Sequence, residues 1–321
     1  MNILGIETSC DETSASVVRD GRVILSNIVA TSLQEHQKYG GIIPEIASRR
    51  QMEFIDLVTR QALNTAGLTL KDLDAVAVTE SPGLIGSLVV GRSFAHSLSF
   101  ALGIPLIKVN HIEAHVYAGY LVDRAQEQLD RLREFPLPAV GLVVSGGHSS
   151  LFYIKDFKSF RIFGQTRDDA AGEAYDKVAR ILGLGYPGGP IIDKLARSVT
   201  ENDIKFSCAP MEGTNDFSFS GLKTAVLYYT QRNAAKGFAV EKVANAFQES
   251  VVNVLVRKTI EACIKKGVAS LLVGGGVAAN ASLRTRLVEA AAVKGIKARF
   301  PAIPLCMDNA AMVAGLAQHL L

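Results

Sequence analysis

The chain opens with NILGIETS at residues 2–9, a short apolar run that ends in polar residues. Two further apolar runs follow at residues 15–18 and, after Asp20 and Gly21, at residues 23–25. Short apolar runs that are separated by an Asp-Gly pair predict a β-hairpin. The fold is therefore predicted to begin with a strand, a polar turn and a hairpin.

The same plan recurs in the middle of the chain. Residues 139–148, AVGLVVSGGH, form an apolar run that ends in a polar glycine turn, and apolar runs follow at residues 150–154 and 160–163. Two segments that share this order of strand, turn and return strand indicate an internal duplication. The sequence therefore predicts two copies of one structural unit.

Apolar runs of strand length alternate with segments of helix length between and after the hairpins. Residues 75–79 precede a glycine-rich turn and a predicted helix at 85–102, and residues 271–273 precede the glycines 274–276. A further predicted helix at 243–265 carries apolar residues at the spacing of a core-facing helix. This alternation predicts parallel sheets with helical crossovers, which is the α/β class.

Two α/β units that each open with a hairpin resemble the actin, Hsp70 and sugar-kinase superfamily, in which an RNase H-like unit is duplicated. The resemblance implies a two-lobed fold with a nucleotide in the cleft between the lobes, and it implies nothing about the reaction. A chain of 321 residues suits two lobes, because single cores stop growing at about 250 to 300 residues. We expect one lobe at residues 1–110 and another at 111–321, with a C-terminal helix at 308–321 that packs back on the first.

The composition favours a globular protein with a large apolar core. Hydrophobic residues make up 48% of the chain and charged residues 20%, and the formal net charge is +3. That charge is compatible with an anionic partner but does not require one. The four cysteines lie far apart and form no CxxC pair, which argues against a disulfide framework and a zinc ribbon.

The longest uncharged stretch, residues 135–154, is long enough to cross a bilayer. It contains Pro136, Pro138 and the polar run SGGHSS, which would leave unsatisfied polar groups in lipid. The first residues of the chain lack the basic and apolar regions of a secretory signal. We therefore expect a cytoplasmic protein that does not span a membrane.

Two glycine turns are candidate binding loops, because bare backbone N–H groups can approach a phosphate or carboxylate closely. The first turn comprises Val144, Ser145, Gly146, Gly147 and His148. The second, at residues 274–280, follows a strand and precedes a helix, so Asn280 is expected beside a base or ribose. A plain hairpin turn is the alternative for the first loop. Neither loop matches the Walker motif of phosphotransferring NTPases.

An acidic segment at residues 168–177 and a glycine turn at 185–193 add further polar groups. Asp176 shares a helical face with Gly172, and Asp193 follows the turn YPGGP. We expect these segments to line one ribose pocket. The alternative is that the carboxylates at 168 and 169 only favour the start of a helix, as acidic first turns do.

Two histidines, His111 and His115, lie four residues apart in HIEAH. This spacing places both imidazoles on one helical face, where they can reach one metal ion. A third ligand is needed, and Asp308, near the start of the last predicted helix, is the best candidate. The alternatives are a structural histidine pair and an N-cap role for Asp308. A zinc protease is disfavoured, because its motif places glutamate directly after the first histidine, whereas Glu113 comes one residue later.

The first hairpin turn carries three carboxylates, those of Glu7, Asp11 and Glu12. A carboxylate that faces a site can accept a proton or bind a metal-bound water. Glu12, with Asp11 as the alternative, is therefore the candidate catalytic residue. A solvated acidic turn without a role in the chemistry is the competing interpretation.

These motifs stand in one colinear series, which comprises GIETSCDETS, HIEAH, VSGGHS, DDAAGEAYDK, YPGGP, GGGVAAN and MDNAA. The series covers residues 3–315 and resembles the tRNA N6-adenosine threonylcarbamoyltransferase (TsaD) family, which was once described as O-sialoglycoprotein endopeptidases. The resemblance implies transfer of a threonylcarbamoyl group from threonylcarbamoyl-adenylate to N6 of the adenosine 3′ of the tRNA anticodon. AMP would be released.

The resemblance also assigns roles to particular residues. One divalent metal ion, iron or zinc, would be held by His111, His115 and Asp308. The turn at residues 144–148 would bind the phosphate and acyl end of the adenylate. The ribose and adenine would be bound by Asp176, Gly189, Asp193 and Asn280. Ser149 stands where the family commonly has threonine, and it keeps a hydroxyl.

The resemblance further implies macromolecular partners, which are tRNA and the TsaB-like and TsaE-like proteins of a threonylcarbamoyladenosine synthesis complex. Basic residues are scattered along the chain without an aromatic stacking platform, so the sequence alone defines no tRNA surface.

Two other functions compete with this one. An ATP-dependent phosphotransferase or ATPase of the same superfamily would suit the fold, but it has no use for His111 and His115. A noncatalytic subunit of the same complex would need neither the metal ligands nor the glycine turns.

Overall fold

The computed structural model describes residues 1–126, 135–209 and 211–321. The chain forms two compact units. Unit 1 comprises Met1–Pro136, Asp156–Ser159 and Pro301–Leu321, and unit 2 comprises Leu137–Lys155 and Phe160–Phe300. This division differs from the predicted boundary after residue 110. The helix that follows this residue packs against the C-terminal helix, and both belong to unit 1.

The strands and helices alternate along most of the chain. The strands are β1 (Asn2–Glu7), β2 (Glu12–Arg19), β3 (Val23–Thr31), β4 (Ala75–Ser81), β5 (Leu106–Asn110), β6 (Val122–Asp123), β7 (Ala139–Val144), β8 (Ser149–Asp156), β9 (Ser159–Gln165), β10 (Ser270–Gly274) and β11 (Lys297–Arg299). The α-helices of the described residues are α1 (Leu33–Gln37), α2 (Pro44–Ala66), α3 (Ile85–Leu102), α4 (His111–Tyr117), α5 (Ala171–Ile181), α6 (Gly188–Ala196), α7 (Ser220–Asn233), α8 (Val240–Lys266), α9 (Ala281–Val293) and α10 (Ala310–Leu320).

The sheet of unit 1 has the strand order β5-β4-β1-β2-β3-β6. Strand β1 pairs antiparallel with β2 and parallel with β4, and β2 pairs antiparallel with β3. The hairpin predicted at the start of the chain is thus confirmed. Strands β1 and β2 are almost wholly buried, which explains the continuous apolar run of β1. The buried hydroxyls of Ser14 and Ser16 in β2 donate to carbonyl oxygens of β3.

The sheet of unit 2 repeats this plan with the order β11-β10-β7-β8-β9. Strand β7 pairs antiparallel with β8 and parallel with β10, as β1 does with β2 and β4. The predicted duplication and α/β class are confirmed. The uncharged stretch at residues 135–154 contains β7, a turn and most of β8, so it is a strand pair and not a membrane helix.

Two helices have nearly the bounds that their periodicity predicts. Helix α3 occupies Ile85–Leu102, and α8 extends the predicted helix at 243–265 by a few residues at its start. Within the described ranges, α3 alone has the length and hydropathy of a membrane span, and little of it is buried. It packs on β4 and α2, and one apolar side of it stays exposed.

Helix α10 lies directly on β1 and β2, and a glycine makes this approach possible. A Cβ atom at Gly5 would lie 2.3 Å from the Ala310 carbonyl oxygen, so no other residue fits there without displacing the helix. The backbone N–H of Ala310 also donates to Ser14 Oγ at 2.9 Å. The start of α10, and with it Asp308, is therefore fixed against the first hairpin.

Candidate functional site

Helix α4 positions His111 and His115 in unit 1. The Asn110 side chain caps the helix, because its Oδ1 atom accepts from the N–H groups of Ile112 (2.9 Å) and Glu113 (3.2 Å). The helix therefore begins at His111, and His115 follows one turn later. Their ring centroids are 4.6 Å apart, and the residues are only 8% and 1% exposed.

Asp308 completes a cluster with these histidines. Its Oδ1 atom lies 3.0 Å from Nε2 of His115 and 3.5 Å from Nε2 of His111. One ligand atom from each of the three residues lies within 4.8 Å of the others. The N-cap of α10 is Asn309, whose Oδ1 accepts from the N–H of Met312, so the alternative role of Asp308 as the cap is wrong.

Glu7 lies behind this cluster and was not singled out as a site residue from the sequence. It is fully buried as the last residue of β1, and its Oε2 atom lies 3.0 Å from Nδ1 of His111. The same carboxylate accepts from Thr79 Oγ1 and from the backbone N–H of Ser9, each at 2.5 Å. A carboxylate that accepts a hydrogen bond from Nδ1 of an imidazole leaves Nε2 free to bind a metal. In the sequence, the signal for Glu7 is a single acidic residue at the end of a mostly apolar strand.

The charges of the cluster favour a cation. Burial alone would lower the pKa of His111, but the carboxylates of Asp308 and Glu7 outweigh it and raise that pKa to about 9. Burial would raise the pKa values of Asp308 and Glu7, yet the neighbouring imidazoles hold both below their ordinary values. Two carboxylates thus face the His111 imidazole, an arrangement that favours positive charge at this site.

The donor set fits a divalent metal. Two imidazole Nε2 atoms and one carboxylate oxygen converge from α4 and from the start of α10, as in protein sites that hold zinc or iron with three ligands. The hydrogen bond from Glu7 orients His111 for this role. Among the described residues, Nδ1 of His115 has no such partner.

The acidic turn between β1 and β2 is buried and clamped, which disagrees with a solvated turn. The side-chain amide of Gln51 donates to the carbonyl oxygens of Thr8 (3.2 Å), Cys10 (2.9 Å) and Glu12 (3.2 Å). Asp11 is buried. Burial and the nearby carboxylates of Asp308 and Asp11 raise the pKa of Glu12 well above its ordinary value. A carboxylate with a raised pKa is a stronger base than an ordinary glutamate, which suits acceptance of a proton.

The glycine turn of unit 2 joins β7 to β8. Its ends are fixed, because the N–H of Ser145 donates to the His148 carbonyl oxygen at 2.8 Å and Ser145 Oγ accepts from the N–H of His148 at 3.1 Å. The backbone N–H groups of Gly146 and Gly147 have no acceptor within the described part of the chain. No atom lies within 4 Å of a Cβ placed at either glycine, so the fold itself does not require glycine there.

Two other segments of unit 2 pack against this turn. Gly275, which follows β10, has a φ of +88°, and a Cβ there would lie 2.4 Å from the Val144 carbonyl oxygen. The N–H of Gly172, in the first turn of α5, donates to the Ser145 carbonyl oxygen at 3.1 Å. Three glycine-bearing segments thus meet at one point of unit 2.

The remaining predicted ligand residues lie on the helices of unit 2. Asp176 Oδ1 accepts from the N–H of Gly188 at 2.7 Å, which joins α5 to the start of α6. Gly189 has open space beside its Cα. Asp193 is buried and ion-paired with Arg197.

Asn280 and Asp168 have structural partners that the sequence did not indicate. Asn280 Oδ1 caps α9 by accepting from the N–H of Leu283 at 2.9 Å, so the helix begins at Ala281 rather than directly after the glycines. Asp168 precedes α5 and instead accepts from the N–H groups of Phe219 (2.8 Å) and Ser220 (3.3 Å), which start α7. The acid therefore stabilises a distant helix, not the one that follows it in sequence.

Known proteins resemble this chain along nearly its whole length. The family model described as tRNA N6-adenosine threonylcarbamoyltransferase matches residues 23–315. The chain belongs to that family. It is therefore a transferase of the acyltransferase type that acts on tRNA. The colinear motifs of the sequence are explained by this membership.

Curated relatives with the name of the family are about half identical to this chain. The relative from Clostridium botulinum (strain 657 / Type Ba4) is 50% identical over 320 residues, which cover 99% of this chain and 92% of the relative. The relative from Symbiobacterium thermophilum is 51% identical over 319 residues, which cover 99% and 91%.

Solved structures of lower identity share the fold. The HypF protein of T. kodakarensis superposes with a TM-score of 0.66 at 15% identity, over 99% of this chain and 47% of that protein. Component A of the Acidaminococcus fermentans (R)-2-hydroxyglutaryl-CoA dehydratase gives a TM-score of 0.56 at 14% identity, over 100% and 98%. These likenesses agree with the actin-like and sugar-kinase-like fold class.

Proposed function

We propose that this chain transfers the threonylcarbamoyl group of threonylcarbamoyl-adenylate to N6 of the adenosine 3′ of the tRNA anticodon. The N6 nitrogen forms a bond to the carbamoyl carbon, the bond from that carbon to the phosphate oxygen breaks, and AMP leaves. The proton of the attacking amine passes to a base. The family match and the cluster of His111, His115 and Asp308 together support this function.

The exocyclic amine of adenosine is a poor nucleophile, because its lone pair is delocalised into the ring. Positioning of both reactants and stabilisation of developing charge are therefore the main tasks of the enzyme. We assign these tasks to residues of the two units separately.

In unit 1, the metal ligands are His111, His115 and Asp308, with Glu7 orienting the first histidine. The metal is iron or zinc. When bound, such an ion supplies a Lewis acid that polarises a carbonyl or phosphoryl oxygen. Glu12, with Asp11 as the alternative, accepts the proton from N6. The clamped turn and the raised pKa of Glu12 support this assignment.

In unit 2, the adenylate is bound by the turn of residues 144–148 and by groups on three helices. The free N–H groups of Gly146 and Gly147 bind the phosphate and acyl end. The ribose and adenine lie against Asp176, Gly189, Asp193 and Asn280. The support is that α5 and α6, which carry Asp176, Gly189 and Asp193, pack against each other, and that the start of α5 is hydrogen-bonded to the turn through Gly172.

Other proteins take part in this function. The partners are proteins of the TsaB-like and TsaE-like types, and the location is the cytoplasm. The exposed side of α3 supports a protein partner, because its apolar side chains Ile85 and Phe100 are 83% and 85% exposed. Such a surface in water favours protein association.

The reaction class can be tested by product analysis. The purified chain, with its partner proteins added, is incubated with threonylcarbamoyl-adenylate and substrate tRNA, and in parallel with ATP alone. Modified adenosine with AMP supports the transfer reaction. Rapid ADP and phosphate release from ATP, with no modified adenosine in the first reaction, would instead identify the phosphotransferase alternative. The variant in which His111, His115 and Asp308 are all alanine is the matched control.

A further inference from the structure

The three helices whose residues are proposed to bind the adenylate all contact one buried glutamine side chain. Gln248 on α8 is 3% exposed, and it contacts Asp193 of α6, Tyr175 of α5 and Asn280, the cap of α9. We propose that Gln248 is a positioning residue that fixes Asp193 and Asn280 for adenylate binding. This inference rests on the function proposed above.

The hydrogen bonds at Gln248 have a defined direction. Asp193 is paired with Arg197 and acts as an acceptor, so the Nε2 atom of Gln248 faces it, at 3.3 Å from Oδ1. Oε1 of Gln248 must then point the other way. It accepts from Asn280 Nδ2 at 2.7 Å and from the Tyr175 hydroxyl at 3.3 Å.

The groups on the acceptor side are also fixed as donors. Burial and the nearby carboxylates of Asp193 and Glu249 raise the pKa of Tyr175 above its ordinary value, so its hydroxyl stays protonated. Asn280 uses its Oδ1 atom to cap α9 at Leu283, which leaves only Nδ2 for Gln248. A reversed Asn280 amide would place its Nδ2 against the N–H of Leu283 and its Oδ1 against Oε1 of Gln248. Gln248 therefore sets which atoms of Asp193 and Asn280 remain available to a ligand.

The core of unit 2 does not need an amide at this position. The neighbouring inward residues of α8, Val243, Phe247 and Val251, are apolar and fully buried. A buried amide is unfavourable unless its hydrogen bonds are made, and a methionine of similar size would fill the space. The three hydrogen bonds at Gln248 indicate that this position requires oriented hydrogen-bonding groups and not only a side chain of this size.

Asn245 provides a matched comparison on the same helix. Its Nδ2 atom donates to the Ala196 carbonyl oxygen at 3.1 Å, and its Oδ1 accepts from Asn202 at 2.9 Å. It thus ties the end of α6 to α8, as Gln248 does for Asp193. These bonds to Ala196 and Asn202 involve none of the proposed adenylate residues.

The test uses AMP as the probe and calorimetry on the full chain. Gln248→Met removes both hydrogen-bonding atoms, and Gln248→Glu keeps the shape but places a carboxylate beside Asp193. We expect each to raise the Kd for AMP about tenfold or more, because two ligand groups lose their orientation. Asn245→Leu is expected to leave the Kd within about twofold of wild type. The KM for threonylcarbamoyl-adenylate should rise in parallel, with kcat at saturation within about threefold of wild type.

The outcomes separate this inference from the function on which it rests. Wild-type AMP affinity in both Gln248 variants, in a chain that binds AMP and modifies tRNA, overturns the positioning role alone. An equal loss in Asn245→Leu, or unfolding of both Gln248 variants, assigns Gln248 to general stability and also overturns it. A wild-type chain that neither binds AMP nor modifies tRNA overturns both proposals.

Discussion

The metal cluster of unit 1 and the glycine turn of unit 2 present different kinds of group to a ligand, side chains in the cluster and backbone N–H groups in the turn. The cluster consists of two buried imidazoles and a partly buried carboxylate, and His111 in turn contacts Glu7 and Asp308. The turn consists of exposed backbone at Gly146 and Gly147, whose N–H groups depend on no side chain for their direction. Metal binding by the cluster is therefore expected to depend on the residues that contact its ligands, such as Glu7. Ligand binding by the turn is expected to depend on whether an added side chain blocks its backbone.

The largest effect is expected when the cluster itself is removed. Replacement of His111, His115 and Asp308 by alanine should abolish stoichiometric metal binding, since all proposed ligands are lost, while the chain stays folded. Metal analysis and circular dichroism check both points. Full retention of the metal by the triple variant would show that other residues bind it. AMP affinity should stay unchanged, because the turn of unit 2 is untouched.

The acidic turn should matter for the chemical step alone. Glu12→Gln is expected to lower the single-turnover transfer rate at least about 100-fold, because a placed carboxylate contributes about 10² to 10⁴ to proton transfer. Adenylate affinity should hardly change. Rates within about threefold of wild type for both Glu12→Gln and Asp11→Asn would remove these carboxylates from the mechanism.

Substitution of Glu7 tests whether its contact with His111 contributes to metal binding. In Glu7→Gln the amide can donate to Nδ1 of His111, which would place the imidazole proton on Nε2. We expect metal affinity to fall about 10- to 100-fold, measured by competition with a chelator. Thr79→Val, which removes another hydrogen bond of the same carboxylate, serves as the control. An equal fall in both variants would show that burial of Glu7, not its bond to His111, matters.

A smaller and purely steric effect is expected at the glycine turn. Gly147→Val should weaken AMP binding about tenfold by blocking backbone approach, with an unchanged melting temperature, because its Cβ position is open. Gly221→Val, at an equally open position of α7, is the control. Unchanged affinity in Gly147→Val would show that the segment is only a hairpin turn.

The sequence predicted the elements whose signals are local. The hairpins, the duplication and helix α3 follow from periodicity, and HIEAH predicts the histidine pair from spacing alone. Asp308 lies 193 positions from His115, so no local spacing predicts it, and it is inferred from the need for a third ligand and from the family resemblance. Contacts of this kind depend on packing that no local pattern records.

The supporting residues show the same limit. Gln51 and Gln248 are amide side chains inside long helices, and their sequence surroundings resemble those of any amphipathic helix. Their roles become visible only when three carbonyl groups or three helices are found around one side chain. Asp168 belongs to a segment expected to line a ribose pocket or to favour the start of the helix that follows it, but its carboxylate accepts from the N–H groups at the start of α7 instead.

The central claim is that this chain transfers threonylcarbamoyl from its adenylate to tRNA with the aid of the cluster in unit 1. The most direct measurement is a single turnover of metal-loaded enzyme and partner proteins with adenylate labelled in the threonyl group. We predict one labelled N6-threonylcarbamoyladenosine in tRNA for each AMP released, and neither product above background with the triple alanine variant. AMP release without labelled tRNA, or equal labelling by the triple variant, would contradict the account.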